Sequence, residues 1–296
     1  MKHLLLLLLA IMPVCLTAQT RKQIKYAEKF DVLKYLPQES DGNPATFWNA
    51  ITQNNADFQK NAKRFDNPKG LAEQARSEVM GSAERYRLLR KLHRPTEAEQ
   101  ELCNNIRYLM LGDEKSEMEF EITDDPEPNA YCTPDGYVCI YLGMVERLMA
   151  DVSLMSGIIA HEIAHYKYKH ALILRYKTLK KDRENAIGAA FQHAGEGFLN
   201  LPDKEQRIQN IYDNAAQQTA QYHFKYSRDE ELEADIVAYR FLDWMGIDPN
   251  NMDKALRASF PIGASLENEA DEYDDHPTTK FRLGVLSALK PAFYGK

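Results

Sequence analysis

"IIAHEIAHYKYKH", Ile158 to His170, sets two histidines four residues apart with a glutamate between them. Residues i and i+4 of a helix share a face, so His161 and His165 can point both imidazoles at one ion. Glu162 lies about 100° around the helix axis, close enough to reach a water held on that ion. Zinc suits the arrangement: it takes imidazole nitrogen and carboxylate oxygen in four-coordinate geometry, and three protein ligands leave one position for water, whose proton Glu162 can accept. By chance, with this chain's histidine and glutamate frequencies, the pattern arises on the order of once in fifty such chains. Two core histidines that happen to fall in register are therefore the competing explanation, and a third ligand decides between them.

The stretch "YSRDEELEADIVAYR", Tyr226 to Arg240, offers one. Ser227 followed three residues later by Glu230 is a capping-box start, which puts Glu231 in the first turn of a helix and Asp235 on the same face one turn later. Glu231 is the candidate third ligand, and Asp235 can accept the outer N–H of a ligand histidine and fix its tautomer. Small Ala234 lets the two helices approach closely. Taken alone, "EELEAD" would be an ordinary acidic helix face.

Together, His161, Glu162 and His165 followed by Ser227, Arg228, Glu231, Ala234 and Asp235 resemble the HtpX and CAAX-prenyl-protease family of zinc metallopeptidases, within the gluzincins. His170 matches a histidine that family often carries. "NAYCTPDGYVCIYLGMVERL" and "HPTTKFR" are similar to its flanking motifs, so the likeness runs from about Leu71 to Leu289, with Asp135 replacing a glycine of the family's pattern. The resemblance implies a protease with one zinc per chain, held by His161, His165 and Glu231. It further implies that Asn129 and Ala130 lie on an edge strand where a peptide substrate adds by main-chain hydrogen bonds. It places His276 and Arg282 over the open coordination position, bonding the scissile carbonyl or its oxyanion. His170 is left as a packing or outer residue. The closest likeness is to single-domain exported members, so the implied setting is protein quality control in the cell envelope. The rival function is an envelope chaperone or assembly factor that keeps the zinc fold and cuts little.

The rest of the chain is compatible with this. A net charge of −7 over 296 residues argues against nucleic acid, which needs clustered lysine and arginine to neutralise phosphate. The opening "MKHLLLLLLAIMPVCLTAQT" reads as a secretory signal peptide over 1–18, cleaved near Ala18, and predicts a periplasmic or envelope location. No later segment is apolar enough to span a membrane, which leaves peripheral association open. In an oxidising compartment Cys132 and Cys139, on either side of a Pro-Asp-Gly turn signal, could pair across a hairpin or remain as buried thiols.

Helical spacing with proline at or near the starts predicts helices over 43–67, 68–93 and 95–111, forming a helical N-terminal region over 19–116. "EMEFEITDD", "NAYCT" and "GYVCIYL" read as strands. A long helix over 153–175 carries the histidines, a helical insertion or lid spans about 179–226, and further helices begin at Ser227, after Pro249 and near Pro277. The fold class is α+β, mostly α: a zincin-like catalytic domain over 117–296 with a small β-sheet.

Overall fold

The computed structural model describes residues 21–89, 95–112, 118–195, 226–259 and 277–293. Its first helix, α1, covers 21–30 and leads into a 3-10 turn at Val32–Tyr35. Pro44 opens α2 (Pro44–Gln53), where the Asn43 side chain accepts the Ala45 N–H. The predicted continuous helix over 43–67 instead breaks at Asn54–Asn55. Asn55 caps a new helix, α3 (Ala56–Ala62), by accepting the Phe58 N–H, and a 3-10 turn at Lys63–Phe65 follows. An asparagine side chain that satisfies the orphan donors of a new turn competes with continuing the old one. α4 (Leu71–Leu89) and α5 (Glu97–Leu111) complete the front section, the latter opened by a full capping box of Thr96 and Glu99.

Three strands follow: β1 (Glu119–Thr123), β2 (Ala130–Cys132) and β3 (Tyr137–Tyr141). Their spatial order is β1-β3-β2, with β1 parallel and β2 antiparallel to β3, so β2 is an edge strand. Gly136, at φ +88°, closes the β2–β3 turn by donating to the Thr133 carbonyl, and Pro134 sits in the turn, where it costs no ladder bond. Cys132 pairs with Val138, whereas Cys139 pairs with Tyr131. That offset of one residue sends the two sulfurs to opposite faces of the sheet. Cys103, Cys132 and Cys139 are all buried thiols.

After α6 (Leu142–Arg147) comes the central helix α7 (Val152–Lys167), capped by Asp151, whose carboxylate accepts the Ser153 and Leu154 N–H groups. Gly157 of α7 faces Met252 at close range. A β-carbon there would stand 3.1 Å from Met252 Sδ and 3.2 Å from its Cα. The single helix predicted over 153–175 ends at Lys167, and α8 (His170–Gly195) restarts at a new angle. Lys169 makes the corner in the left-handed conformation, φ +53°, which a lysine adopts only when its surroundings impose it. The remaining helices are α9 (Arg228–Trp244), α10 (Asn250–Ser259) and α11 (Thr279–Leu286), close to their predicted starts. Most of the proposed insertion lies outside the described residues.

One hydrophobic core runs from Phe47 and Trp48 through Met155 and Ile159 to Phe241. The front helices therefore pack into the same core as the histidine helix. Arg240 ties α9 to the front section, with Nε and one Nη donating to the two Asp31 oxygens at 2.8 and 2.7 Å. A smaller core, including Phe65, Val79, Leu172 and Tyr226, joins α4 to α8. Among the described residues, no helix is long and apolar enough to cross a membrane.

Candidate metal centre

Helix α7 delivers His161 and His165 to one buried face, and α9 packs against α7 with Ala234 fully buried. The Ser227–Glu230 capping box that sets α9's register is complete: Ser227 Oγ accepts the Glu230 N–H, and Glu230 Oε2 accepts the Ser227 N–H at 3.0 Å. Glu231 thus sits in the first turn, pointing at the histidines. The Nε2 atoms of His161 and His165 lie 3.1 Å apart, and the Glu231 carboxylate oxygens lie 3.6 Å from each. Two imidazoles bound tetrahedrally at Zn–N about 2.0–2.1 Å hold their nitrogens roughly 3.3 Å apart, so the spacing fits an ion without rebuilding. The donor set is two imidazole nitrogens and one carboxylate, three ligands of a four-coordinate centre.

Charge at the site is arranged around the same point. Burial alone would lower the His161 pKa, but hydrogen bonds to Asp235 and Glu231 outweigh it and push the value up to about 10. His165 goes the opposite way, held low by burial and by the His161 charge. One proton between the two facing nitrogens satisfies both rings, and a cation bound there would take its place. Glu162 is raised to about 7 by burial, against the pull of the His161 charge. Its Oε1 is 3.9 Å from His161 Nε2, and its Oε2 accepts the backbone N–H of Cys132 at 3.2 Å.

Behind the ligands the two histidines are held by separate relays. His161 Nδ1 is 2.9 Å from Asp235 Oδ1, as the sequence predicts. Arg282 is not over the open position. Its Nε and one Nη donate to the two Asp235 oxygens at 2.7 and 2.6 Å, on the Nδ1 side of His161, because the buried aspartate is the nearest anion. Arg282 keeps Asp235 ionised despite its burial. His170, brought back by the corner at Lys169, places its Nδ1 2.9 Å from His165 Nδ1 and its Nε2 3.3 Å from Glu233. If His165 donates through Nδ1–H, the chain His165 to His170 to Glu233 is fully satisfied and leaves His165 Nε2 free for an ion. The Tyr226 ring stacks on His165 at 3.6 Å between centroids.

Ala130 lies on the edge strand as expected, with Asn129 immediately before it. The Asn129 carbonyl and the Thr133 N–H bond to β3, so Ala130 and Cys132 present their backbone outward. The Ala130 N–H is held by Asn129 Oδ1 at 2.9 Å. His276 lies outside the described residues. Sequence reasoning missed Glu233 and the Cys132 N–H, because neither a relay partner nor a main-chain anchor leaves a spacing signature.

Residues 94–290 match the sequence model of "Peptidase family M48". The chain belongs to peptidase family M48. Its metallopeptidase class follows, and the His161–His165–Glu231 cluster is where this M48 chain can bind its metal. The chain is also similar to the mitochondrial metalloendopeptidase OMA1 of Arabidopsis thaliana, 21% identical over 179 residues, which is 56% of this chain and 30% of that protein. It thus spans less than a third of the length of that relative. The front helices before residue 94 lie outside the M48 match, although they share its core.

Proposed function

We propose that the chain is a zinc-dependent endopeptidase that hydrolyses internal peptide bonds of misfolded or misassembled proteins in the cell envelope. The observation that carries this is the convergence of His161, His165 and Glu231 with Glu162 anchored beside them. Zinc matches the donor set, and when bound it would polarise the scissile carbonyl and ease deprotonation of water. Glu162 takes the proton of the attacking water on its carboxylate and passes it to the leaving amine nitrogen. Its bond to the Cys132 N–H fixes the carboxylate while leaving Oε1 toward the ligands. Asp235 and the His170–Glu233 pair hold the two imidazoles in their metal-facing orientation. A peptide laid along β2 in extended form would trade the Ala130 N–H bond to Asn129 Oδ1 for one to its own carbonyl.

The envelope setting is supported by the secretory leader read over residues 1–18, and protein substrates by the peptidase family itself. Incubation of the purified chain with unfolded casein tests the reading. Cleavage into internal fragments is expected, to be lost on treatment with a chelator and restored by zinc. Cleavage that persists in the chelated chain would exclude it.

A further inference from the structure

A hollow of about 450 Å³ opens beside His165, at the seam between the two hydrophobic cores. Its near side is His165, the Tyr226 ring stacked on it, and Cys132 of the edge strand. Phe58 and Ala62 of α3, Phe65 of the following turn and Met80 of α4 supply apolar lining, and Thr52, Gln59, Arg76 and Lys167 add polar groups. Lys169 and Asp66, 3.5 Å apart, are among the lining residues, with side chains 33% and 61% exposed. The volume is at the lower end of the roughly 300–1,000 Å³ typical of ligand pockets, ample for one large side chain.

Two contacts fix where this hollow stands relative to the chemistry. It includes a metal-ligand candidate, His165, and it includes Cys132, whose N–H holds the general base. Side chains of an extended peptide alternate between faces, so a chain lying along β2 with a bond at the ligands turns a neighbouring side chain toward the seam. We infer that the hollow is the specificity pocket of the site and takes a bulky apolar or aromatic side chain next to the cleaved bond. The inference rests on the peptidase reading. Phe58, Ala62, Phe65 and Met80 precede residue 94, outside the family match, so the front helices share in setting side-chain preference with Leu172 and Tyr226 of the matched part.

Binding separates this from the chemistry. The zinc-loaded Glu162→Gln chain would be titrated, by fluorescence anisotropy, with labelled peptides of alanine and threonine carrying a single phenylalanine or an alanine in its place. The phenylalanine peptide is expected to bind at least about tenfold tighter, the scale on which apolar pockets discriminate. Ala62→Leu, which narrows the hollow, should erase that difference with the alanine peptide unaffected. Met80→Glu, at a half-buried position, should shift preference toward lysine or arginine in place of phenylalanine, which a loss of folding cannot imitate. Equal binding of the two peptides, or an unchanged preference in both pocket variants, would overturn the inference. Discrimination in binding with no casein cleavage by the unaltered chain would leave the pocket standing and remove the protease.

Discussion

Glu162→Gln is expected to lower the rate of peptide cleavage by about 10²–10⁴-fold, the contribution of a positioned general base, with the zinc content unchanged. Glutamine keeps the size of the side chain and still offers an oxygen to the Cys132 N–H, so the geometry of the site survives. What is lost is the ability to take up and return a proton. The loss should therefore fall on kcat, with KM little altered, because the proposed binding along β2 and in the hollow does not involve the second carboxylate oxygen. Steady-state cleavage of a quenched fluorescent peptide, with metal analysis of the same preparation, reads both quantities. Activity within tenfold of the unaltered chain would move the base elsewhere.

Asp235→Ala is expected to destabilise the metal-free fold by about 3–5 kcal/mol, the usual cost of leaving a buried charge without its partner. The stranded charge is Arg282, itself 8% exposed and bound through two nitrogens to that one carboxylate. Chemical denaturation of the two chains measures the difference. Adding Arg282→Met to Asp235→Ala should recover most of the loss, since the uncompensated charge goes with it. The sign of the pH dependence follows from the lowered pKa of Asp235. The folded state binds this proton less readily than the unfolded state, so the contribution is complete above the unfolded carboxylate value, about 3.9, and is lost as pH falls below it toward the folded value. Equal stability of Asp235→Ala and the unaltered chain would mean that Arg282 finds another anion.

The centre itself was legible because its signals are local. The spacing of His161 and His165 and the Ser227–Glu230 box fix the register of two helices, and from register alone Glu231 and Asp235 fall on the face that meets the histidines. The corner after Lys167 was not legible. Apolar residues continue through Tyr168, Ala171 and Leu172, and the left-handed residue is a lysine where glycine would have announced a stop. That hidden corner is what turns His170 back onto His165. The break at Asn54–Asn55 was hidden for a similar reason, since asparagine is tolerated inside a helix and only its capping bond shows which choice the chain makes. Strand register was equally out of reach: Cys132 and Cys139 looked able to meet across a hairpin, and a shift of one residue put them on opposite faces. The resemblance implies Arg282 over the open coordination position, but a motif match brings an arginine near a site without saying which anion claims it, and here it is Asp235. The union of the front helices with α9 depends on contacts such as Arg240 to Asp31, which no periodicity encodes.

Metal analysis of the full chain, purified without chelator and compared with a Glu231→Ala variant, tests the three-ligand centre most directly. One zinc per unaltered chain is expected, with the variant losing most of it under the same dialysis. An unaltered chain free of stoichiometric metal, or a Glu231→Ala chain that holds zinc just as tightly, would contradict it.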